Sequence, residues 1–323
     1  MSTYITKRLL QIIPVLILVS IVSFLVMTLM PGDPIDQLIM SDPDITTEDI
    51  AHLKSLYGLD QPFHVRYFKW VKRLLTKGDL GNSRTYKRPV TAILGKNIPK
   101  SLLLIGTSFI ISLLIAIPIG VISAVKQYSV VDYLVTVFAF IGISMPSHWL
   151  GLLLIYLFAV ILGWLPAGGI MSVDRPDSWI GQFLDRAKYL ILPTISLCMM
   201  RMASLTRYMR SSMLEVIKED YIRTARSKGL SEKIVIYKHA LRNALIPIVT
   251  IVMLSIPFLF SGAIVTEAVF AYSGMGRLFL NAIHGKDTFL VMAITLLLGT
   301  LTLVCNFLAD ILYAVIDPRI RYS

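Results

Sequence analysis

Charge is scarce in this chain. Asp, Glu, Lys and Arg make up 16% of its 323 residues, where a soluble domain carries about 25%. With 55% hydrophobic residues and a mean hydropathy of +0.71, that shortage excludes an ordinary water-soluble domain and indicates an integral membrane protein. Cysteine is scarcer still. Cys198 and Cys305 both lie in apolar stretches and form no CxxC pair. They make no disulfide framework and read as small buried apolar residues. Phosphate-cradling glycine loops are missing: there is no GxxxxGK(S/T) and no GxGxxG after a strand, so nucleotide binding of the P-loop kind is excluded. His52, His64, His148, His239 and His284 are scattered, with no i, i+4 pair and no HExxH, which leaves no metal-ligand spacing. No GxSxG elbow occurs either. An enzyme reading has no residues to rest on.

Long apolar runs are what the chain does have. Leu9 to Met30 is a first span of 22 residues, about 33 Å of helix, with no small-residue cleavage site. Further spans are expected at Ser101–Ala124, Tyr133–Gly163, Tyr189–Leu205, Leu245–Thr266 and Thr288–Ala309. The third is long for one span and short for two, and Pro146 divides it; it reads as one tilted or kinked span. The predicted fold class is therefore an all-α integral membrane protein with six transmembrane helices. Lys7 and Arg8 before the first span, and Arg319 and Arg321 after the last, place both termini in the cytoplasm. The net charge of +11 fits cytoplasmic loops and anionic lipid headgroups better than nucleic acid.

Between the first two spans lies a polar insert, residues 31–98, with ten Lys and Arg against eight Asp and Glu. Loops longer than about 60 residues translocate largely regardless of charge, so the outer face is open to it. Thr46 caps a helix carrying Ile50, Leu53 and Leu56 and stopped by Gly58. Pro62 starts a second helix with Val65, Phe68 and Leu75 on one stripe, ending at Gly78. The insert reads as a small helical extracytoplasmic cap. Residues 99–323 form the remaining core.

Five of the six spans contain no Asp, Glu, Lys or Arg. Proton- or ion-coupled carriers usually place such groups inside the membrane, and no selectivity-filter loop is evident, so a stand-alone channel or secondary carrier is the less favoured reading. Arg201 is the single intramembrane cation. It reads either as a residue snorkelling toward the inner surface or as a candidate pathway residue. Glu267, at the end of the fifth span, reads either as an ordinary span-end carboxylate or as a gate residue.

The strongest inward signal is the loop 207–243, where Arg207 to Arg242 holds nine Lys and Arg against four Asp and Glu. Glu215 to Lys228 is expected as one helix running into Gly229, a C-terminal left-handed position. Ser231 caps a second helix bearing Ile234, Tyr237, Leu241 and Leu245. The bland reading is a solvated basic loop near headgroups. The sharper one is a helix-turn-helix whose corner fits a partner's groove.

Ala225, Gly229 and the following HALRNALIP (His239 to Pro247) resemble the coupling-loop signature of permease subunits of bacterial ATP-binding-cassette importers, in the oligopeptide/dipeptide and nickel branch, permease B type. Other strings agree in order and spacing: PGDP (Pro31 to Pro34), YGLDQP (Tyr57 to Pro62), VRYFKW (Val65 to Trp70), GDLGNS (Gly78 to Ser83), RPV (Arg88 to Val90), ISMPSHWLGLLL (Ile143 to Leu154), LGWLPAGG (Leu162 to Gly169), TEAVFAYSGMGRL (Thr266 to Leu278) and DPRIRY (Asp317 to Tyr322). The general signature has Glu-Ala-Ala where this chain has Arg223, Thr224 and Ala225, a departure characteristic of the branch.

The resemblance implies a multi-pass protein of the bacterial inner membrane that imports peptides by alternating access. Nickel complexes, glutathione or another small solute are the alternative cargo. It implies a second homologous permease as heterodimer partner, two ATPase subunits that hold ATP and Mg, and an extracytoplasmic peptide-binding protein, with no cofactor in this chain. It also implies that Thr224, Ala225, Ser227, Lys228, Gly229 and Leu230 couple to the ATPase.

Overall fold

The computed structural model describes residues 2–29, 46, 49 and 60–316. Helix dominates. In chain order the helices are α1 (Ser2–Leu29), α2 (Phe63–Lys77), α3 (Val90–Val125), α4 (Val130–Ser144), α5 (Ser147–Leu154, continuing as a π-helical stretch Ile155–Ile161), α6 (Trp179–Val216), α7 (Asp220–Ser227), α8 (Glu232–Ser255), α9 (Ile264–Val269), α10 (Met275–His284) and α11 (Thr288–Ile316). One departure from an all-helical chain is an antiparallel ribbon of β1 (Asn82–Ser83) and β2 (Arg88–Pro89).

Among the described residues, four helices are long and apolar enough to cross a membrane: Val90–Val125, Trp179–Val216, Glu232–Ser255 and Thr288–Ala309. Their outward apolar side chains, such as Ile110, Leu114, Ile195 and Leu308, stay exposed. In water such continuous apolar surface would be costly, whereas a helix whose backbone bonds are all internal meets hydrocarbon without penalty. The stretch expected as one kinked span is broken more sharply: α4 and the α5 arm meet at 103°. The cause is local. Proline disfavours the helical region for the residue before it, and Met145 accordingly takes an extended conformation (φ −86, ψ 120). The arms count as a fifth span if they cross together. Helix α1 carries a shorter apolar segment, Leu10–Val26. Residues 267–287 are largely helical, forming α10 and the end of α9.

The described residues fall into two compact units, one within Met1–Ile98 and Leu278–Ser323, the other within Pro99–Arg277. In the first, α1 packs along α11. The insert helix α2 joins them through an aromatic cluster. Phe24 meets Phe63 and Tyr67 edge-on at ring distances of 5.4 and 5.6 Å, and Trp70, Val71, Leu74 and Met292 complete it. The Tyr67 hydroxyl is 2.7 Å from Ser20 Oγ. Helix α2 starts after Pro62 and ends on Gly78 (φ +61), as the sequence predicts. Its buried face differs from the predicted stripe, because Phe68 and Leu75 are exposed and Tyr67 and Trp70 are buried. Aromatic packing on Phe24 outweighs the aliphatic spacing, since aromatics bury the larger area. Thr46 and Asp49 make the reciprocal capping bonds expected there; Ile50, Leu53, Leu56 and Gly58 lie outside the described residues.

A buried carboxylate ties the ribbon to the last helix. Asp287 caps α11 by accepting from the Leu290 amide (3.3 Å), and it also accepts from Ser83 Oγ (2.5 Å) and the Thr85 amide (3.0 Å). Asp287→Ala strands those donors. A loss of about 1–3 kcal/mol is expected, read as a lower melting temperature of the detergent-solubilised protein. An unchanged melting temperature refutes this role.

Candidate functional site

The second unit carries the predicted corner, residues 224–230. Helix α6 runs past its apolar part to Val216, but the single helix expected over 215–228 is interrupted. Lys218 and Glu219 donate three residues back, to Glu215 and Val216, and a separate α7 begins at Asp220, whose carboxylate suits a helix N-terminus. Burial explains the break. Ile222 and Ala225, one turn apart on α7, pack into a core of Val121, Ala124, Met209, Met213, Val235, Ala240, Ala244 and Ile248. A straight continuation of α6 carries them away from that core.

Helix α7 ends in a Schellman motif. The Leu230 amide donates to Ala225 O (3.4 Å) and the Gly229 amide to Arg226 O (2.9 Å). Gly229 takes φ +76, and a Cβ there would meet nothing within 4 Å, so the backbone conformation and not the space calls for glycine. The predicted stripe on α8 differs. Ile234 and Tyr237 are exposed; Val235, Ala240, Ala244 and Ile248 are buried. A π-helical stretch at Val235–Ala240 widens the first spacing to five residues and turns the buried face. Of the predicted corner residues, Thr224, Ser227, Lys228, Gly229 and Leu230 are exposed, while Ala225 is turned into the core. Arg226 pairs with Glu232 across the corner at 2.7 Å, an exposed bond worth under about 1 kcal/mol.

An ion pair invisible to the sequence reading braces the same unit. Arg210 of α6 grips Asp132 with two bonds, Nε to Oδ1 at 2.6 Å and Nη2 to Oδ2 at 2.8 Å. Asp132 also accepts from Ser123 Oγ (2.5 Å) and the Tyr128 amide (3.0 Å). The turn between α3 and α4 is thereby clamped to the helix that leads to the corner. The one available signal is Ser129-x-x-Asp132, a helix-start pattern in which Ser129 Oγ accepts from the Asp132 amide.

Glu267 is fully buried on α9. It accepts from Ser101 Oγ (2.7 Å), the Ala263 amide (3.2 Å) and the Arg277 amide (3.0 Å). Ser101 Oγ in turn accepts from the Met275 amide at 2.7 Å. The chain must pass close by: a Cβ on Gly274 would fall 2.4 Å from Ser101 Oγ and 2.5 Å from Glu267 Oε2. Beside this cage the Tyr272 hydroxyl donates to Lys100 O (3.0 Å). Burial, and secondarily the Glu267 charge, push its phenol up to about 12. Arg201 is elsewhere in the unit, on α6, with its guanidinium carbon 5.6 Å from the centre of the Phe109 ring. Among the described residues, no cluster of three His, Cys, Asp or Glu could hold a metal ion. Cys198 and Cys305 are both buried and unpaired.

Removing one side of the Glu267 cage tests it. Ser101→Ala and Glu267→Gln are each expected to lower thermal stability. Glutamine sets an amide donor against donors that the carboxylate satisfied. Because both act in one network, the double variant should lose less than the sum by about 0.5–3 kcal/mol. Additive losses refute the cage.

Comparison with known proteins adds to this geometry. Residues 116–322 match the family described as binding-protein-dependent transport system inner membrane component, and residues 1–117 match the N-terminal part of such membrane components. The chain is 43% identical over 323 residues to the oligopeptide transport system permease protein AppB of Bacillus subtilis, covering 100% of both chains. It is 40% identical to the dipeptide transport system permease protein DppB of Alkalihalophilus pseudofirmus, again over 100% of both. A solved inward-facing structure of the MetNI methionine ABC transporter contains a chain similar at TM-score 0.52 and 20% identity, covering 70% of this chain and 97% of that one; this likeness is one of fold.

Proposed function

The chain belongs to the binding-protein-dependent transport system inner membrane components, and from that premise we propose that it is a permease subunit of an ATP-driven importer of peptides. The observation that carries the cargo class is the full-length similarity to permeases named for oligopeptide and dipeptide transport. On this reading α1 and the bent α4–α5 pair join the four long helices as six spans, with both termini in the cytoplasm. A second, homologous permease completes the pathway. Two ATPase subunits hold ATP and Mg and dock on the exposed corner residues Thr224, Ser227, Lys228, Gly229 and Leu230, with Ala225 as the buttress behind them. An extracytoplasmic binding protein delivers peptide to the outer face, where the insert 31–98 helps receive it.

The physical support for the coupling role is stiffness. A corner that only dangled in solvent would absorb a push. This one is seated in a core shared with α3, α6 and α8, so a displacement imposed on α7 passes into three membrane helices. Alternating access needs such two-state movement of packed helices around a midplane site.

The complete complex, reconstituted in liposomes, should take up labelled peptide only with ATP, and the lone chain should take up none. Uptake by the lone chain refutes the importer reading and indicates a self-contained channel or carrier.

Gly229 separates folding from docking. Gly229→Ala forces a side chain into a left-handed conformation at a cost of about 1–2 kcal/mol and should leave ATPase co-purification intact. Gly229→Asp adds bulk and charge where the chain itself leaves open space, and should abolish co-purification. Unchanged assembly and transport in Gly229→Asp overturns the assignment.

A further inference from the structure

Among the described residues, Arg201 differs from the buried carboxylates Asp132, Glu267 and Asp287, each of which has hydrogen-bond partners. Its Nη1 is buried without a hydrogen-bond partner, and among the described residues no salt bridge reaches it. It lies on α6 six residues before Arg207, about 9 Å deeper along the helix. The guanidinium lies over the Phe109 ring of α3, directed among the helices. There it lines a cleft of about 280 Å³ with Phe109, Ser204, Tyr208, Ile251, Ser255 and Phe258. The hydroxyls of Ser204 and Ser255 donate to carbonyls of their own helices, Met200 O at 3.3 Å and Ile251 O at 2.7 Å, and each keeps lone pairs and rotational freedom.

Charged side chains within membrane spans face a bundle interior or a water-filled cavity and take a partner there, because an unpaired charge in hydrocarbon costs several kcal/mol. A guanidinium presents a planar fork of donors that matches a carboxylate. The hydroxyls alongside it become donors to a ligand by turning their single O–H away from the carbonyls of Met200 and Ile251, and the apolar cleft wall strengthens the attraction by excluding water. Phe109, Ile251 and Phe258 offer apolar surface to a side chain of variable shape.

We propose that Arg201, with Ser204 and Ser255 beside it, forms a transient binding site for the terminal carboxylate of the transported peptide. This rests on the peptide reading above and deepens it by naming the group recognised inside the membrane. A carboxylate is the anion common to all unmodified peptides whatever their side chains. One fixed cation in an otherwise charge-free set of spans thus holds cargo of variable sequence by its constant end. A single site of this kind binds strongly enough to admit the peptide and weakly enough to release it once the helices rearrange.

The test uses the complete complex with its binding protein in liposomes and a pair of probes, trialanine and trialanine amide. With Arg201→Gln, uptake of trialanine is expected to fall about tenfold, the scale of one charge-assisted hydrogen bond. Uptake of the amide should stay within about twofold of the unsubstituted complex, and Arg201→Lys should restore part of the trialanine uptake. If the unsubstituted complex moves the acid but not the amide, trialanine uptake by Arg201→Gln decides alone. Unchanged trialanine uptake overturns the proposal. Equal losses for both probes overturn it too, as does loss of co-purification with the second permease, which reveals Arg201 as a counter-ion to a carboxylate of that subunit. A complex with Arg201 intact that moves neither probe fails earlier, on the peptide reading itself.

Discussion

A membrane offers no water to a buried polar group, so each one has to be satisfied inside the protein or not be there. The carboxylates of this chain show the consequence. Asp132 is met by two guanidinium nitrogens, a serine hydroxyl and an amide. Glu267 receives one hydroxyl and two amides, and Asp287 the same complement. Asp132 lies in the first turn of α4, Glu267 on the short helix α9, and Asp287 just before α11, and all three accept from backbone amides near helix ends. These three acids organise the connections between the spans. Among the described residues, Ser23, Trp70, Thr194 and Arg201 each keep a buried polar atom without a partner, and Arg201 is the charged one of the four.

The same constraint shapes the mechanics. Apolar helices facing lipid gain little from packing on one another, because lipid tails are as apolar as the side chains they replace. Specific geometry therefore has to come from small residues, close approaches and polar ties. The inner corner uses small residues. Ala225, Ala240 and Ala244 allow α7 to lie close against α8, and Ala124 of α3 with Met209 and Met213 of α6 completes the core behind them. The Asp132–Arg210 clamp adds a polar tie between α4 and α6 in the same unit. An element seated in a shared core in this way is tied to its helices, where a loop lying on lipid headgroups is not.

What the sequence by itself determined is what depends on neighbours a few residues apart. Apolar run length set the membrane class, a basic loop set the inward signal, and cap chemistry marked the start and stop of α2 and the left-handed Gly229. The order of short strings over the whole length set the family. Tertiary structure decided the rest, because the deciding partners are far apart in the chain. Arg210 lies 78 residues from Asp132, Ser101 lies 166 from Glu267, and Ser83 lies 204 from Asp287; no local pattern encodes such pairings. The position of the break at Pro146 was legible from proline geometry. Its 103° angle was not, since it depends on what the two arms pack against. The buried face of α8 was misread for a related reason. Helical spacing assumes 3.6 residues per turn, and a π-helical stretch rotates the phase without any residue type that announces it. Ala225 shows the division within one residue: its place in the corner was readable from spacing, and its inward direction only from the core that Ile222 brings it against.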